Sequence, residues 1–379
     1  MERKEQCKKI WKNVFKDEEK YIEWYFKNIY KDENLLTYEI SNEVVGMLNE
    51  NSYKTKNNKE LEEVKYLLAA GVLPLYREQG ILKDIMIRNL KKAYVEKLEF
   101  QYLSPIDKNI YTRFGYEFIS DLYEYEILLD SLKDFKKYEN IIQIEKLEDI
   151  NEELLHKISI FYNNNLEFYN LKIHKNKNNI KDSLKEIFFE DGEIYLTFNK
   201  DGEITGYMPL EKHSENLFIK EFLFSNKNSF NSLMWILYGY RNYYKNVKII
   251  CGIFDNLEDY FKSVNSIKKI VKNKMQLRIV NLLKAFKRIN INENESLVIQ
   301  VKDENINENN GIYKICKDKI ERCRLNPDIK ISIGNLAQLI YGYRSLLELK
   351  KEGKLDIIKN EKLLVDIFIK KYNYFNQDF

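Results

Sequence analysis

A glycine-containing loop between a strand-like run and an amphipathic helix has the residue types of an anion site. The stretch GVLPLYREQGILKDIM, residues 71 to 86, places Arg77 and Gly80 in this loop, with Pro74 just before it. Gly80 lets the backbone approach a ligand, the first N–H groups of a helix are unpaired, and Arg77 can add bidentate phosphate contacts. The loop matches neither a Walker A motif nor GxGxxG. On these residues alone, an ordinary strand-to-helix loop with a surface arginine is the favoured interpretation, because short glycine loops are common.

Composition and charge exclude several other classes of function. The net charge is +3, from 62 basic and 59 acidic residues interspersed along the chain, so we expect no duplex nucleic-acid binding. The three histidines are far apart, which argues against a metal site or a histidine-dependent triad. No run of 18 apolar residues and no signal-peptide core occurs, so we expect no membrane span. The four cysteines lack metal-like or disulfide-like spacing, which predicts reduced thiols in a cytoplasmic protein.

The elements that must position the loop follow from periodicity. Residues 3 to 30 read as two helices, followed by three strand-like runs, the helix after Gly80, a strand, a short helix from Asp107 to Thr112, and a final strand pair in RFGYEFISDLYEYEI. This order predicts an α/β sandwich with helices on both faces of a largely antiparallel sheet.

Two further units follow a polar linker near residues 131 to 140. The second repeats the element order of the first and contains a hairpin signal at Asp201-Gly202, but it lacks a counterpart of the Arg77–Gly80 loop before its helix near residue 228. From about residue 275, four strand candidates and three helical stretches predict a third unit, an antiparallel sheet backed by helices.

Two segments together resemble the acetyl-CoA-binding core of the GNAT N-acetyltransferase superfamily. VLPLYREQGI resembles the R/Q-x-x-G-x-G/A loop that binds the pyrophosphate there, and IYTRFGYE resembles the segment that closes the site. Leu82 stands where Gly or Ala is usual. This departure, with Pro74, is similar to the Eis-like (enhanced intracellular survival) branch.

The resemblance implies an α+β architecture of two tandem GNAT-like α/β domains followed by a sterol-carrier-protein-like α+β domain. The catalytic, acetyl-CoA-binding domain is expected at residues 1–130 and an inactive second GNAT-like domain at 140–273. The third domain is expected at 275–379, with a C-terminal tail that reaches the first domain's active site.

The resemblance also assigns roles to individual residues of the first domain. Ala70 and Val72 are expected on a splayed strand whose backbone pairs with the pantetheine arm, and Tyr111 matches the general acid that protonates the departing thiolate. Tyr116 is expected to be a packing residue. The residues expected to supply the pyrophosphate loop are Arg77, Glu78, Gln79, Gly80, Ile81 and Leu82.

Two aromatic residues outside these motifs are further candidates. Enzymes of the Eis-like branch end in an aromatic residue whose terminal carboxylate acts as a base, and Phe379 matches it; the alternative is a frayed end. Trp24 lies on a helix rich in acids and is a candidate wall of an amine pocket, with ordinary core packing as the alternative.

The function that these expectations define is acetyl-CoA-dependent N-acetylation of a primary amine by direct transfer. The amine is expected to be an aminoglycoside, a polyamine or a lysine-like group, small or peptidyl, with no metal cofactor. By family analogy the chain is expected to form a homo-oligomer, possibly a hexamer. The rival functions are aminoacyl transfer from charged tRNA on the same fold, and non-enzymatic binding of CoA or lipid.

Overall fold

The chain folds as two compact units that are not each continuous in sequence. The structure is a computed structural model that describes residues 2–15, 17–57, 60–262 and 266–377. One unit combines residues 1–120 with 274–379, and the other comprises residues 121–273. Within the described ranges, no helix is both long enough and apolar enough to cross a membrane.

The described part of the first 128 residues contains four helices and five strands. They are α1 Arg3–Phe15, α2 Glu19–Asn28, β1 Leu35–Ile40, β2 Glu43–Asn57, β3 Glu60–Val72, α3 Ile81–Val95, β4 Phe100–Leu103, α4 Lys108–Thr112 and β5 Glu117–Leu128. β1, β2 and β3 are joined antiparallel, and β3 pairs parallel with β4.

Helices cover both faces of this sheet, as the sequence predicts. On one face, buried Glu50 of β2 accepts a hydrogen bond from Asn89 of α3 at 2.7 Å. On the other face, Asn51 accepts one from the Tyr25 hydroxyl of α2 at 3.3 Å. This alternation follows from the two-residue period of a strand.

The second unit contains its own sheet and helices. In chain order its elements are β6 Asn140–Ile144, α5 Glu152–Asn165, β7 Leu171–His174, α6 Lys177–Phe189, β8 Glu193–Phe198, β9 Ile204–His213, β10 Asn216–Ile219, β11 Leu223–Phe224, α7 Lys227–Gly239, β12 Asn246–Cys251 and β13 Ile267–Ile279, whose last residues belong to the first unit. The sheet order is β6-β8-β9-β10-β12-β5, in which only β10 and β12 are parallel. The predicted Asp201-Gly202 hairpin is confirmed between β8 and β9.

The C-terminal residues of the first unit form a five-stranded sheet with helices. Their elements are α8 Leu282–Phe286, β14 Leu297–Lys302, β15 Gly311–Cys316, β16 Lys319–Arg322, β17 Ile329–Ser332, α9 Ile333–Ile340, α10 Leu346–Lys351, β18 Leu355–Ile357, α11 Glu361–Ile367 and β19 Asn373–Tyr374. The sheet order is β16-β15-β14-β17-β18, and β14 runs parallel to β17. The fully antiparallel sheet predicted here is therefore wrong at that pair.

The structure also corrects two strand assignments. The predicted strand pair in RFGYEFISDLYEYEI is the single strand β5, because residues 117–128 contain no glycine or proline that would form a turn. The predicted single strand ENLFIKEFLF is two short strands, β10 and β11.

A buried ion pair joins the first GNAT-like segment to the C-terminal sheet within the first unit. The guanidinium of Arg278 and the carboxylate of Asp303 are both fully buried, with N···O distances of 2.6 and 2.7 Å. Nε of Arg278 also donates to the carbonyl of Phe114 at 2.6 Å. A Cβ at Gly115 would lie 2.8 Å from that Nε, so glycine is required for the close approach.

We expect Asp303→Asn to lower the free energy of unfolding by about 3–5 kcal/mol, because it leaves the Arg278 charge buried without a counter-ion. Denaturant unfolding of the whole chain measures this loss. Glu304→Gln, which removes the exposed neighbouring pair with Lys302, is the matched control and should leave stability unchanged. Equal effects of the two variants would contradict the role of the buried pair.

Candidate active site

Strands β3 and β4 separate at one end of the first sheet. Their parallel pairing stops at Leu67 and Leu103, where β4 ends, whereas β3 continues to Val72. Ala69 has a positive φ of 52° at the bulge between β2 and β3. The segment of β3 from Leu68 to Val72 therefore presents backbone groups on the side that β4 has left, and the predicted residues Ala70 and Val72 lie in this segment.

The predicted anion loop lies directly after this segment. Gly80 adopts φ +80° as the N-cap of α3, and Glu78 also has a positive φ of 64°. Arg77 is exposed and its Nε donates to the Val72 carbonyl at 3.3 Å, while its terminal nitrogens have no hydrogen-bond partner among the described residues. The first helical hydrogen bond of α3 runs from Asp84 N–H to Gly80 O, which leaves the amides of Ile81, Leu82 and Lys83 without helical partners.

The space around Gly80 fits a phosphate group. A Cβ built at Gly80 meets nothing within 4 Å, so glycine is present here for its φ and for open access, not for tight packing. The free amides, the positive end of the helix dipole and the Arg77 guanidinium together favour an anion. The side chains of exposed Glu78 and Gln79 do not contribute positive charge, so the backbone supplies most of this preference.

Close packing against β2 fixes the position of this helix N-terminus. A Cβ at Gly46 would lie 3.0 Å from both Ile81 and Ile85, so β2 and the first turn of α3 touch only because residue 46 is glycine. Leu82 is half-buried on the edge of the same apolar cluster. The departure from Gly or Ala at this position is therefore accommodated by packing.

Tyr111 packs into the apolar cluster that contains the ends of the separated strands. This cluster includes Leu67, Leu103, Val72 and Ile81. The Tyr111 side chain is 7% exposed, and its hydroxyl makes no hydrogen bond to any described residue. Burial raises the pKa of Tyr111 to about 12, so its phenol keeps its proton at neutral pH.

Tyr116 is fully buried and donates to Gln101 on β4 at 3.2 Å, which agrees with the packing role expected for it.

The second unit differs at the equivalent helix N-terminus. Helix α7 begins after Asn226, whose side-chain oxygen accepts hydrogen bonds from the backbone N–H groups of Asn228 and Ser229. A capping side chain thus occupies the donors that Gly80 leaves free in α3.

The chain's C-terminal segment packs against β4. Asn373 donates hydrogen bonds to the carbonyls of Ile119 at 2.7 Å and Tyr341 at 3.0 Å. The ring of Phe375 is fully buried, with its centroid 5.0 Å from that of Tyr102. The tail therefore reaches the first domain, whereas Phe379 lies outside the described residues and its role as a base stays a prediction.

Trp24 is 6% exposed and stacks on Tyr21 at a centroid distance of 5.8 Å. Its position on α2 agrees better with core packing than with the wall of an open pocket.

Sequence reasoning missed several buried amides, two on the sheet face opposite α3 and one in the C-terminal segment. Both polar atoms of Asn49 and of Gln377 are buried and have no hydrogen-bond partner in the described part of the chain, and the amide nitrogen of Asn51 is also unpaired. Leaving such groups unpaired is costly, so each is a candidate contact for a polar ligand. The available signal at positions 49 and 51 was their two-residue spacing in a strand, which puts both asparagines on one face; no local pattern marks Gln377.

Two known protein domains match the two ends of the chain. Residues 2–119 match the acetyltransferase (GNAT) domain, and residues 280–376 match the sterol carrier protein domain. Residues 2–119 are thus a GNAT acetyltransferase domain. No curated protein matches its sequence significantly.

Solved structures share the fold of this chain over almost its whole length. A protein of Enterococcus faecalis V583 described as a probable N-acyltransferase has a TM-score of 0.85 at 16% identity, with 100% of this chain and 97% of that chain covered. A GCN5-related N-acetyltransferase of Anabaena variabilis has a TM-score of 0.81 at 19% identity, with 97% and 96% covered. Eis1 from Mycobacterium abscessus has a TM-score of 0.75 at 15% identity, with 99% and 96% covered.

The GNAT domain uses acetyl-CoA as its co-substrate. Within the described ranges, no group of three or more His, Cys, Asp or Glu side chains is arranged to hold a metal ion.

We expect Gly80→Asn to raise KM for acetyl-CoA by about tenfold, since its side chain would enter the open space beside the free α3 amides. Because residue 80 lies at φ +80°, where asparagine is mildly strained and does not have the extended N-cap backbone of Asn226, the melting temperature should fall slightly. Steady-state kinetics and thermal unfolding measure the two effects. Gly202→Asn, at an open turn with φ +76°, is the matched control and should leave KM unchanged; a rise there, or none at Gly80, would contradict the assignment.

We expect Tyr111→Phe to lower kcat by about a hundredfold with little change in KM for acetyl-CoA, because it removes the proton donor and keeps the ring. Since burial raises the pKa of Tyr111 to about 12, loss of its proton should not reduce wild-type activity below pH 10. Tyr94→Phe, in the same apolar cluster, is the control. A fall in kcat of equal size in both variants would remove Tyr111 from the mechanism.

Proposed function

We propose that the chain transfers an acetyl group from acetyl-CoA directly to a primary amine at the separated ends of β3 and β4. The observation that carries this proposal is the combination of an uncapped, glycine-led helix N-terminus with the adjacent separated strands. Bound acetyl-CoA supplies the thioester. Backbone amides of Ile81, Leu82 and Lys83, with the Arg77 guanidinium, hold the pyrophosphate.

Groups of the protein orient the thioester and donate a proton to the departing sulfur. The backbone of β3 from Leu68 to Val72 pairs with the pantetheine arm, and an N–H group of this segment polarises the thioester carbonyl. When the amine nitrogen forms its bond to the carbonyl carbon and the C–S bond breaks, Tyr111 donates its proton to the sulfur. The raised pKa of Tyr111 supports the proton-donor role, because the phenol is fully protonated before transfer.

The acceptor amine binds on the face of the sheet that the tail covers. The support is the contact of Phe375 with Tyr102 and the unpaired amides of Asn49 and Gln377. In this proposal the terminal carboxylate of Phe379 accepts a proton from the amine. An aminoglycoside, a polyamine or a lysine-like group each carries hydrogen-bonding groups that these amides could satisfy. Homo-oligomeric assembly is part of the proposal by family analogy alone.

The second unit is proposed to be catalytically silent. The capping of α7 by Asn226 supports this, since the amides that hold the pyrophosphate in the first unit are already paired in the second.

A CoA-release assay over a panel of aminoglycosides, polyamines and lysyl peptides tests the reaction. Turnover of at least one class, with the product mass increased by one acetyl group, supports the proposal. Saturable acetyl-CoA binding without turnover of any amine would favour the non-enzymatic alternative. Binding of charged tRNA that weakens steeply with salt would favour aminoacyl transfer.

We expect Phe375→Leu to raise KM for the acceptor amine while KM for acetyl-CoA stays constant, because Phe375 packs on Tyr102 of β4, away from the α3 loop. A volume-reducing apolar substitution of this kind should cost about 1 kcal/mol of stability. Phe368→Leu, a buried phenylalanine just after α11, is the matched control for stability and should leave both KM values unchanged. Parallel rises in both KM values in Phe375→Leu would show that the tail supports the fold and not the acceptor site.

A further inference from the structure

A cleft of about 770 Å³ lies entirely within the second unit. It is bounded by the C-terminal half of α5, the β8–β9 hairpin, β11 and the loop after β12. Its volume is within the range of about 300–1,000 Å³ that small-molecule sites occupy. The proposed acetyl transfer in the first unit does not use any of these residues.

Five aromatic side chains line the cleft. They are Phe161, Phe168, Tyr169, Phe224 and Phe254. Phe168 is 84% exposed and Phe254 48% exposed, so the cleft presents apolar ring faces to a ligand that enters it.

The loop after β12 is shaped around one of these rings. The Tyr169 hydroxyl accepts a hydrogen bond from the Phe254 N–H at 3.3 Å, and the two ring centroids are 4.9 Å apart. A Cβ at Gly252 would lie 1.8 Å from the Tyr169 oxygen, so only glycine allows this arrangement. The contacts of Tyr169 with Gly252 and Phe254 therefore fix the shape of this part of the cleft wall.

A carboxyl group without a cationic partner lies in this wall. Asp255 lines the cleft, and no basic side chain of the described residues is within salt-bridge distance of it. Burial raises the pKa of Asp255 to about 7, although a backbone hydrogen bond from Gly252 lowers it in part. A cationic ligand would supply the missing counter-charge.

The rest of the cleft is also acidic. Asp201 and Glu203 lie on the hairpin, and Glu203 accepts a hydrogen bond from the neutral amide of Asn199 at 2.9 Å. Of the described residues that line the cleft, Lys157 alone is basic, and it pairs with Glu153 at 2.7 Å. The cleft thus has an excess of negative charge.

The strand geometry explains why a cavity exists here. The parallel pairing of β10 with β12 stops at Ile219 and Ile249, with one further bond from the Phe222 N–H to the Ile250 carbonyl, and β11 then pairs with β9 alone. The strands separate as β3 and β4 do in the first unit, but the following helix is capped by Asn226. The cleft therefore retains the opening of a GNAT site without the donors for a phosphate.

We propose that this cleft binds a small organic ammonium ion with an apolar or aromatic body, held by the Asp255 carboxylate and the surrounding aromatic faces. A cation placed over an aromatic ring is attracted by the ring quadrupole, and the carboxylate adds a direct ion pair in a water-poor setting. The exposed phenylalanines cover the apolar part of the ligand.

Isothermal titration calorimetry of the full chain with phenethyltrimethylammonium tests this proposal. This probe has no N–H bond, so the first unit cannot acetylate it. We expect saturable binding that Asp255→Asn weakens by about tenfold, which corresponds to 1.4 kcal/mol. The neutral alcohol 3-phenylpropan-1-ol should bind more weakly than the cation and should respond little to Asp255→Asn.

Matched variants separate this site from others. Asp130→Asn removes an exposed acid outside the cleft and should leave binding of the probe unchanged. Tyr111→Phe, in the first unit, should also leave it unchanged. Asn164 lies at an exposed position on α5 and lines the cleft, so Asn164→Trp should abolish binding by filling the space. If Asp255→Asn fails to fold, this variant alone tests whether the probe binds in the cleft.

Several results would overturn the proposal. They are no saturable binding of the cation, equal binding of cation and alcohol, undiminished affinity in both Asp255→Asn and Asn164→Trp, or a loss of affinity in Tyr111→Phe. The last result would place the probe at the acetyl-transfer site.

Discussion

The buried pair of Arg278 and Asp303 constrains how the segments of the first unit pack together. Both charges are fully shielded from water, and the guanidinium also holds the Phe114 carbonyl at the end of α4. Because a buried charge is stable only with its partners in place, the turn after α4 has one permitted position relative to β13 and Asp303. Tyr111 lies on α4, so the same network fixes the orientation of the proposed proton donor.

A second buried network also joins distant elements of the first unit. The carboxylate of Glu99 accepts hydrogen bonds from Arg288 and from the Tyr341 hydroxyl. On the sheet face opposite α3, by contrast, both polar atoms of Asn49 have no partner among the described residues. Buried polar groups of this kind are available to bind polar groups of a substrate.

Features formed by residues close together in the sequence could be predicted, whereas features that join distant residues could not. The helix after Gly80, its open N-terminus and the Asp201-Gly202 hairpin depend on neighbouring residues, so local patterns predicted them correctly. The parallel pairing of β14 with β17 and the contact of Arg278 with Asp303 and Phe114 join distant residues, and no local pattern encodes them. Tyr111 was found through a motif, and only the structure shows that its hydroxyl is unpaired within the described ranges.

The two equivalent helices α3 and α7 show how a small local change separates the chemistry of two similar units. Gly80 leaves the first amides of α3 free, while Asn226 pairs those of α7 with its own side chain. A capping bond stabilises a helix by about 1 kcal/mol, and an anion at an uncapped terminus recovers a similar amount only when it is bound. In the first unit the N-terminus of α3 is stabilised by a bound anion, whereas in the second unit the N-terminus of α7 is stabilised by the Asn226 side chain. The second unit therefore offers no free helix amides to an anion, and its acidic cleft favours a cation.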